Sequence, residues 1–331
     1  MLSVRENFLE TIKLNGTPDR LVNGYEFMNL IVPDPLLLAS SHNLTKGNIG
    51  LDGFGTTWEW AKDQPAAAPL PDSSTFVIKD VTKWEEAFKP PNLEELDWSD
   101  AIAQVKAAEG ADSFVTAFFV SGLFERLHFL MGFENALVNL MIEQEATKAL
   151  IDAIGKHRMR HAELLVENLN PEMILVHDDW GMKRSLFTSP EVWREMIKPH
   201  YEELFGYLKS KDVIIVHHAD SFLEPIVEDM AEMGVDVWQG VLPENDIPRL
   251  QKELAGRMTL MGGIDATVAD ATTATEDDVR KEAIRVCETY APGGHFIPSF
   301  TYGGPYDMLY MDRNEFIRDE VNKYSKKMYR A

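Results

Sequence analysis

The chain has 331 residues, 45% of them hydrophobic, a formal net charge of −22 and a single cysteine, Cys287. That charge excludes nucleic acid and an anionic membrane surface as partners, since both need clustered Lys and Arg, and it disfavours a polyanionic substrate. One thiol excludes an internal disulfide and any zinc site that needs two thiolates from this chain. Ser3 to Leu14 reads as an opening helix, charged rather than secretory, that Asn15-Gly16-Thr17-Pro18 stops. Arg20 to Phe27 is predicted as a first strand, with Glu26 near its end. Pro33 to Pro71 has little regular pattern and is expected to be an elaborated loop or lid over the rest of the fold. Val81 to Phe88 and Leu93 to Ala108 look helical, and Ser113 to Val120 reads as a strand. Ser121 to Arg126 then turns into a helix, and Asn135 to Asn168 is helical with a break near Glu145-Ala146-Thr147.

From there strands and helices alternate. Strand 173–176 precedes a helix from Pro190 to Lys209, which Thr188-Ser189-Pro190-Glu191 opens with a cap, a proline and an acidic first turn. Strand 213–216 precedes Leu223 to Met233, strand 235–238 precedes Ile247 to Leu254, and strand 258–261 precedes Glu276 to Tyr290. A strand at 295–298 closes the series. Such alternation implies parallel βαβ units, and the series is too long for a small doubly wound sheet. The predicted fold is a single α/β domain over 1–331, a (β/α)8 TIM-type barrel. No apolar run is long enough to span a membrane, so a cytoplasmic protein is expected. Cys287 lies in an amphipathic helical pattern and reads as a buried structural thiol.

Two apolar runs end in titratable groups. Met173-Ile174-Leu175-Val176 leads into His177-Asp178-Asp179-Trp180-Gly181, and Val213-Ile214-Ile215-Val216 into His217-His218-Ala219-Asp220-Ser221. In a parallel barrel the C-terminal strand ends converge on one cavity, where Glu26, Gln239, Asp265 and Ser299 to Tyr302 are further candidates. Neighbours leaving a strand point in opposite directions, so at most one of each adjacent pair should face that cavity unless the chain turns. Paired carboxylates in a low-dielectric mouth push one pKa up, and a nearby imidazole can orient that acid, take a proton or bind a metal. The competing reading has 217–220 as a hydrogen-bond network holding loops, Asp178 and Asp179 as caps, and Asp265 as a loop anchor. A nitrogen/oxygen zinc set from His217 or His218, Asp220 and one further carboxylate is also available.

Several segments resemble the uroporphyrinogen decarboxylase superfamily: Asp52-Gly53-Phe54-Gly55 with Trp58, His177 to Gly181, Ser189 to Trp193 with Ile197-Lys198-Pro199, Val216 to Ser221, Met233 to Asp236, and Gly262 to Asp265. The resemblance implies a distorted (β/α)8 barrel with its site at the C-terminal strand ends. The decarboxylases carry an arginine-containing N-terminal segment that grips porphyrinogen carboxylates. Here Leu21 to Asn29 has no arginine and one acid, so decarboxylation of that substrate is not expected. The thiol-directed methyltransferases of the superfamily bind zinc through His-x-Cys and a later Cys. The matching positions are His217 and Ala219, with no cysteine near Thr301.

What remains, His217-His218-Ala219-Asp220-Ser221 with Trp238-Gln239-Gly240, is similar to the methyltransferase components of anaerobic O-demethylases. The resemblance therefore implies a corrinoid-dependent methyltransferase that moves the methyl group of an aryl methyl ether, such as a methoxylated phenol, to cob(I)alamin. The cobalamin would be carried by a separate corrinoid protein, because the chain lacks an Asp-x-His-x-x-Gly type loop. Asp178 or Asp179, or His217 or His218, would supply an acid, with Asp220 orienting an imidazole. Glu26, Phe27, Trp180, Gln239, Asp265 and Tyr302 would line the substrate pocket, and zinc is an optional Lewis acid. Transfer from or to an amine or thiol, and a scaffold that merely binds the corrinoid protein, are the alternatives.

Overall fold

The computed structural model describes residues 1–32, 34–40, 44–64, 67–300 and 311–329. Seven parallel strands form the central sheet: β1 (Met28–Ile31), β2 (Phe114–Phe119), β3 (Met173–His177), β4 (Ile214–His218), β5 (Val237–Val241), β6 (Thr259–Ile264) and β7 (Phe296–Phe300). Each pairs with the next in that order, and helices returning outside the sheet give a TIM-type barrel. The eighth strand of the expected barrel is absent among the described residues. The stretch between β1 and β2, long enough for another βα unit, carries an antiparallel sheet of Ile49–Leu51, Thr57–Glu59 and Ala68–Pro69 with short helices instead.

Burial along the strands separates their two faces. Leu30, Phe114, Met173, Leu175, Val216, Val237, Met261 and Ile297 fill the barrel interior together with Phe8, Val22 and Phe27. The alternate residues, such as Ile174, Val176, Ile215, Trp238 and Leu260, join the larger core beneath the helices. This two-residue alternation is the property that positions the site, because it runs on past the last apolar residue of each strand. The opening helix, Val4–Ile12, starts at a capping box formed by Ser3 and Glu6. Its Phe8 stacks on Phe27 with ring centroids 4.0 Å apart and plugs the N-terminal end of the barrel.

Several boundaries differ from expectation. The first strand begins at Met28 rather than Arg20, because residues 24–27 form a turn. The helix predicted over 190–209 is two helices, Pro190–Met196 and Lys198–Lys209, broken at Ile197 ahead of Pro199. Helix 276–290 and helix 247–254 stand where the pattern puts them. The helix Met311–Met328 packs on Glu276–Tyr290 and had no counterpart in the predicted elements. Cys287 is buried, and burial pushes its thiol up to about 12. Among the described residues no helix is long and apolar enough to cross a membrane.

A buried ion pair at Asp52 ties the 33–71 segment to the barrel. Asp52 accepts hydrogen bonds from the amides of Phe54 and Thr56, both at 2.9 Å, and from Trp58 Nε1 at 3.1 Å. Its other partner is Arg126, 3.0 Å away on helix Leu123–Met131, whose guanidinium lies over the Phe54 ring. The Asp52-Gly53-Phe54-Gly55 motif is thus an anchor, with both charges compensated by direct partners.

Candidate active site

Register brings three side chains to one level. His177 at the end of β3 pairs with His218 at the end of β4, which pairs with Gln239 of β5. All three continue the interior-facing series: Met173, Leu175, His177; Ile214, Val216, His218; Val237, Gln239. The same alternation carries Asp179 and Asp220 toward the mouth. The rings of His177 and His218 stack 4.2 Å apart. His218 Nδ1 meets Gln239 Oε1 in a short contact, and Gln239 is fully buried. That contact fixes the imidazole, leaving its other nitrogen for the mouth.

His177 is also held from the side. Its Nδ1 lies 2.8 Å from Glu125 Oε1, an ion pair. Glu125 sits in the first turn of helix Leu123–Met131, where its Oε2 accepts from the Gly122 amide at 3.2 Å. Burial opposes charge on the His177 ring, but Glu125, with Asp179 and Asp220 behind it, outweighs burial and raises it to about 9. His218, by contrast, is held well below its ordinary value by burial and by the charge on His177, so it is a neutral imidazole.

Asp179 and Asp220 share the space above. Asp179 Oδ1 accepts the Asp220 amide at 3.1 Å. Burial raises Asp179 to about 6 against the pull of His177. Burial and the neighbouring Asp179 raise Asp220 to about 7. One donor atom each from Asp179, His218 and Asp220 lie within 4.8 Å of one another. A neutral imidazole with two carboxylates is a donor set that fits zinc or another divalent cation, and Gln239 supplies the outer contact such a histidine needs. Beside this trio opens a cavity of about 200 Å3 lined by Asp220, Asp265, Glu244, Lys183, Leu242 and Thr267 among others. Lys183 Nζ is paired with Glu244 Oε1 at 2.9 Å.

The other half of the expected site lies elsewhere. Asp178 points outward and is fully buried, accepting from the amides of Phe124 (3.1 Å) and Glu125 (2.9 Å), from Trp180 Nε1 (2.8 Å) and from the Tyr201 hydroxyl (2.7 Å). It binds the start of helix Leu123–Met131 to β3. The fit is close enough that a Cβ on Gly122 would stand 2.1 Å from that of Asp178. Burial and Glu125 raise Asp178 to about 7, with these donors opposing. His217 also faces outward, stacked on Trp180 at 4.1 Å, with no hydrogen-bond partner at either ring nitrogen, and burial lowers it to about 3. Asp178, His217 and Trp180 are therefore corrected from candidate site residues to packing between strands and helices.

Glu26 and Phe27 are corrected too. Both precede β1, at the barrel end opposite the mouth, where Glu26 Oε1 accepts the Asn23 amide at 3.0 Å and Phe27 is core. Asp265 does line the cavity, while its Oδ1 caps the following turn through the Thr267 amide at 2.9 Å. Tyr302 lies outside the described residues. His177, Glu125, Lys183 and Glu244 were not among the expected site residues. Counting back two positions from Asp179 along β3 reaches His177; Glu125, Lys183 and Glu244 carry no comparable signal in the sequence.

Comparison with known proteins now bears on this geometry. The family model for uroporphyrinogen decarboxylase (URO-D) matches residues 49–317, most of the chain. The chain belongs to the URO-D family. Two curated uroporphyrinogen decarboxylases, from two strains of Thermus thermophilus, are each 27% identical to this URO-D family member over 191 residues, 56% of its length and 50% of theirs. The matched stretch thus spans about half the length of those relatives. A methyltransferase from Methanosarcina mazei shares the fold, with a TM-score of 0.66 over 98% of this chain and 99% of that one at 16% identity. At that identity the likeness speaks for the fold.

Proposed function

We propose that this URO-D family member is a methyltransferase that takes the methyl group of an aryl methyl ether, such as a methoxylated phenol, and passes it to cob(I)alamin on a separate corrinoid protein. The observation that carries the reading is the pair Asp179 and Asp220, raised to about 6 and about 7, at the edge of a cavity of about 200 Å3. That space suits a single substituted ring. The M. mazei protein, named a methyltransferase, supports the same class of chemistry. Decarboxylation of a porphyrinogen finds little support, because Lys183, the one cation among the described residues lining the cavity, is already paired with Glu244.

When docked, the corrinoid supplies the cobalt(I) nucleophile. The chain's own task is to help the phenol leave. As the methyl carbon–oxygen bond breaks, its electron pair goes to the ether oxygen, and Asp220, held protonated near neutrality, gives that oxygen its proton. Asp179 keeps the proton on Asp220 by like-charge repulsion, and His177 with Glu125 holds the pair in place. Zinc held by Asp179, His218 and Asp220 would take the place of that proton, since both carboxylates would be ionised as ligands, and it would supply a Lewis acid against the same oxygen. A thiolate-bound metal has no ligands here, since the chain's one cysteine, Cys287, is buried within helix Glu276–Tyr290.

The test is methyl transfer from a methoxylated phenol, followed by the change in corrinoid absorption with the partner protein or free cob(I)alamin as acceptor. Asp220→Asn and Asp179→Asn should each lower the rate by about 100-fold or more while folding normally. Unchanged rates in both, or transfer from a methylated amine or thiol but from no ether, would overturn the proposal.

A further inference from the structure

The cavity beside the trio is unbalanced in charge. With Asp220 protonated, Glu244 and Asp265 still face Lys183 alone among the described lining residues, and Lys183 is engaged by Glu244 Oε1 at 2.9 Å. Glu244 Oε2 has no hydrogen-bond partner. Asp265 uses Oδ1 for the Thr267 amide and hydroxyl, at 2.9 and 2.7 Å. Segment 301–310, which follows β7, contains neither Lys nor Arg. A divalent ion at the trio would offset Asp179 and Asp220, yet it would leave Glu244 and Asp265 in the wall.

We infer that this cavity selects uncharged rings that carry hydroxyl groups and rejects carboxylated ones, with Glu244 and Asp265 as the specificity-determining residues. The inference rests on the aryl ether reading above and narrows its substrate class. A ring hydroxyl donates to a carboxylate oxygen, and Glu244 and Asp265 put carboxylates in the cavity wall. A ring carboxylate meets acceptors of its own charge, with no free guanidinium in the lining to grip it in bidentate fashion. Specificity here comes from repulsion of the wrong ligand as much as from attraction of the right one.

The experiment is calorimetric titration of the full chain with catechol and with 3,4-dihydroxybenzoate, the demethylated forms of an uncharged and a carboxylated donor. Catechol is expected to bind about tenfold tighter, with the ratio shrinking as salt is raised. In a Glu244→Gln/Asp265→Asn double variant, which keeps both side-chain shapes, the ratio should fall to about threefold or less. Equal binding of the two probes, tighter binding of the benzoate, a ratio that the double variant leaves unmoved, or no binding of either would overturn the inference. Catechol preference without methyl transfer from any ether would instead sink the proposed reaction and leave the selectivity standing.

Discussion

Glu125 and His177 form an ion pair of 2.8 Å at the floor of the barrel mouth, and it places a positive charge beneath Asp179 and Asp220. His177 is raised to about 9, so its contribution to stability is complete below its ordinary value near 6.5 and is lost as pH rises through 9. Glu125→Gln should therefore cost about 2 kcal/mol near pH 6, and the difference from the parent should shrink above about pH 9. Urea unfolding across that range measures it. A constant difference at every pH would mean that the pair contributes packing and not charge.

Asp220 changes stability in the same direction with pH, through a penalty on its charged form and not through a gain. Burial and Asp179 raise it to about 7, so the folded state is favoured while the group is protonated and loses stability as pH rises from about 4 through 7. Asp220→Asn should accordingly be more stable than the parent near pH 8, by about 1–3 kcal/mol, and no more stable near pH 4. A melting-temperature series in both proteins decides this. Gain of stability together with loss of methyl transfer is the signature of a strained functional acid.

His217 is a packing residue that happens to titrate. Held to about 3, it makes the folded state lose stability as pH falls from about 6.5 toward that value, because the unfolded chain takes up the proton first. His217→Phe should keep the stack on Trp180, abolish that acid sensitivity and leave methyl transfer within about threefold of the parent. A large loss of activity in a well-folded His217→Phe protein would return this side chain to the chemistry.

A zinc titration followed by elemental analysis tests the Asp179, His218 and Asp220 set. Binding of one ion per chain is expected, with release of the proton that Asp220 otherwise holds near neutrality. His218→Ala should weaken it by at least about 100-fold and Gln239→Leu by about 10- to 100-fold, since Gln239 fixes the ring. Affinity unchanged in both variants would show that the trio works as a proton-holding pair and a hydrogen-bonded imidazole.

Much of the fold was readable because barrel strands buried on both faces leave short apolar runs, and the six from 113 onward were placed within about three residues at either end. The first strand was misplaced because the apolar residues of 20–27 are buried for another reason: Val22 and Phe27 pack beneath the barrel, and Leu21 joins the outer core, instead of pairing. The site was half readable. Both strand ends bring titratable groups to the barrel mouth, yet Asp178 and His217 differ from Asp179 and His218 by one position, and a step of one residue reverses the face.

The amino-acid sequence alone determined the alternation of strands and helices and the two polar strand ends, because each is a local property of pattern or composition. Tertiary structure decided which residue of each pair faces inward, since that depends on where each strand's alternation is anchored by the interior core. It also decided that Glu125, distant in the chain, holds His177, and that Glu244 and Asp265 share a wall with Asp220. Those relationships exist only where the barrel closes the distance, and no spacing along the chain encodes them.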